Sequence, residues 1–205
     1  MKSGAKMTTD LGPSVGERTQ AKILDAALPL FAAHGFEGAS VRRIATAAGV
    51  NVATLAYHFT DKDGLYRASL QRLYRDLAAL DLDPNLLTGP DPLEAVIGVM
   101  WDFAGERRDH IRLLHRHLLD KGRHHDVSDA WIEVLMARAT ELLGMASPQG
   151  DPVELRLLVY GVTHLIVRLV LDDADQLRAT LGSDAAPRDV VVPWLSRLVR
   201  RQLGA

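Results

Sequence analysis

The 205-residue chain contains no cysteine. That excludes disulfides, thiolate metal sites and thiol redox sensing. It fits a reducing cytoplasm, the location expected here. Aromatic residues make up only 5%. No stretch alternates apolar and polar side chains as a half-buried strand would. Ala, Leu and Arg are abundant instead, which favours helix over strand. Charges interrupt every apolar stretch before the roughly 18 residues that a membrane span needs. No apolar segment follows Lys2 and Lys6, so a signal peptide is not expected. Catalytic motifs are missing too. There is no phosphate loop, no HExxH, no Ser-His-Asp arrangement and no carboxylate pair in an apolar setting. A non-enzyme without cofactor is the expectation.

What is present is an ordinary globular composition, 47% hydrophobic and 24% charged, with a net charge of −2. Residues 1–80 hold 10 Lys and Arg against 7 Asp and Glu, a net of +3; residues 81–205 hold 14 against 19, a net of −5. A mildly basic head on an acidic body suits a DNA reader joined to a domain that reads something else. On charge alone, the split is no more than scatter would give.

Residues 1–13 are polar and unpatterned and are expected to form a disordered tail. Ser14 and Glu17 have capping-box spacing for a first helix, with Ile23, Ala26, Ala27, Leu30 and Phe31 on its apolar face and Gly35 as its stop. Ser40 is placed to cap a second helix, Val41 to Ala48, and Asn51 a third, Val52 to about Phe59. Thr60 or Asp61 would cap a fourth, running to about Leu80. Asp81–Asp91, with Pro84, Gly89 and Pro90, breaks the pattern. This gives an all-α chain with a helix-turn-helix domain over 14–80 and a helical domain over 81–205. The second domain is expected to hold helices at Pro92–Glu106, Asp109–Leu119, Ser128–Leu143 and Pro152–Leu171. A polar link and a final helix ending near Leu203 would follow. Pro193 suggests that this last helix starts late.

The stretch from Val41 to Phe59 carries the chemistry. Gly49 permits the positive φ of a tight turn. Ala45 is small where two helices must approach. Ile44, Val50 and Leu55 supply a miniature core. This is helix-turn-helix spacing, although an αα-hairpin uses similar residues. The third helix, Val-Ala-Thr-Leu-Ala-Tyr-His-Phe, is too short and polar for a packing helix. With Leu55 and Phe59 inward, Thr54, Tyr57 and His58 fall on other faces, available to phosphates and base edges. Arg42, Arg43 and Lys62 bracket it as a backbone clamp would. For His58, a phosphate contact and a packing role against the first helix both stay open.

Three stretches fix a resemblance: Ile23-Leu24-Asp25-Ala26-Ala27, then Phe31-Ala32-Ala33-His34-Gly35-Phe36, then Ser40-Val41-Arg42-Arg43-Ile44-Ala45 with Ala48-Gly49-Val50. Tyr57-His58-Phe59, Lys62 and Leu65-Tyr66 complete it. Residues 19–79 resemble the DNA-binding domain of the tetracycline-repressor (TetR) family of bacterial regulators. The resemblance implies a homodimer on palindromic double-stranded DNA, with a C-terminal domain that dimerises and takes a small-molecule inducer. It implies DNA contacts at Ser40 or Arg42, Thr54, Tyr57, His58 and Lys62; Arg43, Asn51 and Val52 join them as candidates. Two positions depart from the family's habit. Val52 stands in place of a lysine, and Ala56 in place of a tyrosine. Their base-edge readout is lost or replaced by a methyl contact with thymine. Affinity would then rest more on phosphates, DNA shape and dimer spacing.

Pro152–Leu171 is apolar nearly all round. One stripe, with Leu155, Leu158, Val159, Val162, Ile166 and Leu169, is the expected dimer face. The other, with Leu157, Tyr160, Gly161, His164, Arg168 and Leu171, has the mixed composition of a pocket wall. Leu158, Val162 and Ile166, together with Trp194 and Leu198 of the final helix, are the candidate interface residues. Met100, Trp101, Phe103, Trp131, Tyr160 and His164 are the candidate contacts for a largely apolar ligand, although each suits plain core as well. His110, His115, His117, His124 and His125 cluster in sequence but lack ligand spacing, so no metal is expected. An enzyme, or an interaction protein whose helix-turn-helix has lost base reading, are the competing functions.

Overall fold

The computed structural model describes residues 12, 14–78, 89–119, 136–137, 139–141 and 150–204. The expected tail (apart from Gly12), most of the expected helix at Ser128–Leu143, and Trp131, His124 and His125 lie outside them. Nine helices are described: α1 (Val15–Gly38), α2 (Val41–Ala47), α3 (Val52–Phe59), α4 (Lys62–Ala78), α5 (Pro92–Glu106), α6 (Arg108–Leu119), α7 (Pro152–Leu171), α8 (Ala174–Leu181) and α9 (Pro187–Leu203). Packing divides the chain into two units, up to Ala68 and from Ser69. The division falls inside α4, ahead of residue 80 where the sequence suggested it, because Leu73 packs into the second core.

In the first unit the capping box forms as expected. Glu17 N donates to Ser14 Oγ (3.2 Å), and Ser14 N donates to the Glu17 carboxylate (2.7 Å). Hydrogen bonding from the Ser14 backbone N–H, and then from the Ser14 hydroxyl, holds the Glu17 carboxyl below its usual pKa. Ile23, Ala27 and Phe31 line the inner face of α1 with no exposed surface. Gly35, at φ 69°, interrupts the helical run, and Pro29 is accommodated inside it. Tyr66 of α4 meets Phe31 and Phe36 edge-on, at 5.1 and 5.2 Å between centroids. That edge-to-face geometry suits the ring quadrupoles. Ser40 precedes α2 but makes no side-chain cap, contrary to expectation.

In the second unit α5 lies against α7 and α9. The core holds Leu73, Ile97, Phe103, Ile111, Ile166, Val170, Val191, Val192, Leu195 and Val199. Asp91 and Asp151 cap α5 and α7 through bonds to Glu94 N, and to Val153 N and Glu154 N. Charged ties cross the unit. Arg188 chelates Asp102 through two bonds of 2.7 and 2.9 Å, and Arg200 pairs with Asp91. Arg108 donates to the last carbonyls of α7, Leu171 O and Asp172 O, which lack helical partners.

Two expectations are corrected here. The polar link after Leu171 contains α8, capped by Asp173 bonds to Asp175 N and Gln176 N. Its single buried residue is Leu177, so it gives no apolar periodicity to detect. The final helix does not start late. It begins at Pro187, with Pro193 inside it. Burial of Val191, Val192, Leu195 and Val199 offsets the one hydrogen bond that Pro193 forfeits.

His110 is half-buried on α6. Burial, and then the Arg72 cation, hold its imidazole pKa below the usual value, with Arg107 adding to this and Asp76 and Asp109 opposing. The unfolded chain therefore binds a proton at His110 more readily than the folded one. Stability is expected to fall as pH drops below about 6.5 and to level off below the depressed folded value. Urea unfolding between pH 7.5 and 5 measures this, and His110→Gln is expected to remove that part of the pH dependence. His117 is buried on the same helix. Among the described residues no three His, Asp or Glu side chains gather to hold a metal ion.

Candidate DNA interface

The turn between α2 and α3 is built on Gly49, at φ 62°. Val50 N donates back to Ala45 O at 3.0 Å and closes it. Ala45 and Ala48 are buried beneath the turn, at 2% and 1% exposure. Small side chains there allow the steep approach of α3. Leu55 and Phe59 then fix its rotation by pointing into the core.

The polar candidates on α3 are only partly free. Asn51 Oδ1 accepts from Thr54 N (2.7 Å) and from Thr54 Oγ1 (3.0 Å). The Asn51 side-chain oxygen and the Thr54 hydroxyl proton are therefore committed to the cap, while the Asn51 amide N–H groups are not used by it. Tyr57 is 86% exposed and its phenol projects from the surface. His58 is half-buried, with its ring 5.3 Å from Tyr57 and 6.4 Å from Phe59. Val52 is exposed.

The flanking cations differ in freedom. Ser40, Arg42 and Arg43 are exposed at the start of α2. One Arg43 amine lies 3.5 Å from His34 Nε2. A guanidinium only donates, so that histidine nitrogen is the acceptor. Lys62 is not simply a phosphate clamp. Its ammonium donates to Glu37 O (3.3 Å) and sits 4.6 Å from the centroid of Phe36, tying the start of α4 to the end of α1. The sequence did not single out Lys22. It is exposed on α1, and its Nζ lies 3.2 Å from where a β-carbon on Gly49 would be. Its distance along the chain from the turn, 27 residues, hid it; only the fold brings α1 over Gly49.

This geometry is a helix-turn-helix with an exposed, uncharged second helix between cations. Residues 23–69 match the family model described as "Bacterial regulatory proteins, tetR family". The HTH-type transcriptional repressor NicS of Pseudomonas putida is 27% identical, covering 88% of each chain. Over residues 23–69 the chain is similar to the DNA-binding domain of the TetR family of bacterial transcription regulators.

The likeness to the HTH-type transcriptional regulator YttP of Bacillus subtilis is 31% identity but spans only 46% of either protein. A transcriptional regulator of Streptomyces coelicolor shares the fold, with a TM-score of 0.64 and 24% identity over 90% of this chain and 97% of that one. The fold shared is an N-terminal helix-turn-helix arrangement followed by an all-helical C-terminal unit. Among the described residues no helix is long and apolar enough to cross a membrane.

In the C-terminal unit the candidate residues scatter. Phe103 is buried in the core, with the Arg107 guanidinium 4.3 Å from its centroid. Met100 and Trp101 are partly buried against that core. Tyr160 and His164 are on the outer side of α7, exposed, with ring centroids 3.9 Å apart. The stripe of α7 expected at the dimer face turns inward, and the other turns outward. Ile166 is 2% exposed and belongs to the protomer's own core, so it cannot form an intersubunit face; Leu158 and Val162 pack partly against the same core. The outward apolar strip is Val153, Leu157 and Tyr160, and on α9 Trp194 is 45% exposed while Leu198 is half-buried.

Proposed function

We propose that the chain is a repressor that works as a homodimer on a palindromic operator and is released when a small, largely apolar molecule binds its C-terminal unit. The exposed α3, bracketed by Lys22, Arg42 and Arg43, is the observation that carries it. Two such helices in successive major grooves need half-sites about 10 base pairs apart, or a multiple of that. The name of the Pseudomonas relative, a repressor, supports the sign of regulation. The outward strip of Val153, Leu157 and Tyr160 on α7 and the exposed Trp194 on α9 support the dimer: exposed large apolar side chains are what an interface buries.

Footprinting on the DNA flanking the protein's own gene tests this. Protection of a palindrome is expected, and no protection at low salt would overturn the reading. Arg42 and Arg43 are argued to hold phosphates. Replacing both with alanine is expected to lower the slope of log K against log salt by about two per protomer. Fluorescence anisotropy across a salt series measures it. One observation favours a second reading, an interaction protein that no longer reads bases: the outer face of α3 is largely apolar. On that reading the double alanine variant would leave partner binding intact.

A further inference from the structure

We propose that α3 selects its operator by the C5-methyl groups of thymine, through an aliphatic surface made by Val52, Ala53 and Ala56. The proposal rests on the reading of α3 as the DNA-contacting helix. Leu55 and Phe59, 1% and 6% exposed, fix which way the helix faces. Val52, Ala53, Ala56 and Tyr57 are left exposed. They form two adjacent rows at i, i+4 spacing, Val52 with Ala56 and Ala53 with Tyr57. Apart from the phenol of Tyr57, this face consists of methyl groups.

The other polar side chains of α3 face less fully outward. The Thr54 hydroxyl donates to Asn51 Oδ1, and His58 is half-buried between the rings of Tyr57 and Phe59. The helix carries no Arg or Lys to grip guanine, no Asn or Gln to pair with adenine, and no carboxylate to accept from cytosine. Among the four bases only thymine shows an apolar group in the major groove. Packing against that methyl favours thymine. The same surface against a guanine carbonyl or a cytosine amine would desolvate a polar group without replacing its hydrogen bond. Attraction and penalty therefore act in the same direction. Charge selects DNA over a protein partner: in the same unit Lys22 lies at the Gly49 turn and Arg42 and Arg43 are exposed at the start of α2, and these cations match the phosphates that flank a groove.

The test begins with the full-length protein and a random-sequence duplex pool. The enriched duplex is then made twice, with thymidine and with deoxyuridine throughout, and both affinities are read by anisotropy. Uracil lacks only the methyl. Each contacted methyl is expected to be worth about three- to fourfold, so two half-sites give about tenfold weaker binding to the uracil duplex. Val52→Ala, at a surface position, is expected to cut the thymine-over-uracil ratio by about twofold or more. Arg42→Ala is expected to weaken both duplexes and leave the ratio unchanged. Equal affinity of the wild type for the two duplexes would overturn the proposal while leaving DNA recognition intact. A ratio that survives in Val52→Ala would overturn it too, assigning the difference to DNA shape. Failure to enrich any sequence would overturn the DNA-reading assignment beneath it.

Discussion

Alanine at Gly64 is expected to destabilise the N-terminal unit by about 1–3 kcal/mol and to weaken DNA binding with it. Gly64 lies in the first turn of α4, where its N–H donates to Asp61 Oδ1 at 2.8 Å. A β-carbon there would stand 2.4 Å from the carbonyl oxygen of Phe59. That oxygen is backbone, and it already accepts from Asp61 N at 2.6 Å. Thr60, between α3 and α4, is held at φ 63°, where β-branched residues are strained. The junction has no slack, so the added methyl must move the end of α3, where Phe59 anchors the reading helix in the core. Thermal unfolding followed by circular dichroism, with operator binding on the same samples, measures both effects. Gly98 is the control. A β-carbon there meets Arg188 Nη2 at 2.9 Å, the movable end of a long side chain. Gly98→Ala is therefore expected to cost well under about 1 kcal/mol. Equal effects at the two glycines would show that the α3–α4 junction is not the constraint argued here.

Glutamate at Leu157, or at Trp194, is expected to convert the proposed dimer to monomers and to reduce operator affinity by about 10²- to 10⁴-fold. Tethering two reading heads makes the second contact intramolecular, and that advantage vanishes when the heads separate. Both side chains are well exposed in the protomer, 64% and 45%, so a charge there leaves the protomer's own core intact. Light scattering after gel filtration reads the mass, and anisotropy the affinity. Ile166→Glu provides the contrast. Its side chain is 2% exposed, and an unpaired carboxylate there is expected to unfold the C-terminal unit rather than split a dimer. A Leu157→Glu protein that stayed dimeric would move the interface away from the outward strip of α7.

The ends of the helices were largely legible because cap chemistry is local. Ser14 with Glu17, Asn51, Asp91 before Pro92 and Asp151 before Pro152 each act on backbone groups two or three residues away. Where an element's existence depends on distant burial, the signal faded. α8 has one buried anchor, Leu177, and passed for a link. Pro193 argued against a helix that a row of buried valines and leucines holds in place. At the candidate site, the inward pair Leu55 and Phe59 and the outward Tyr57 followed from spacing alone, whereas the restraints on Thr54 and Lys62 did not. The first depends on a side-chain rotamer, the second on Phe36 and Glu37 of another helix.

By itself, then, the sequence determined an all-helical chain and the helix-turn-helix at Val41–Phe59, because helical period, cap residues and a glycine turn all act within a few residues. Tertiary structure decided three things. It chose which stripe of α7 turns inward, since a helix apolar on both sides has no preference until α5 packs against one of them. It brought Lys22 of α1 to the reading turn. It also engaged the Thr54 hydroxyl, the Asn51 side-chain oxygen and the Lys62 ammonium in bonds within the unit. What remains outward on α3 is mostly methyl, and that is why thymine is the base proposed for it.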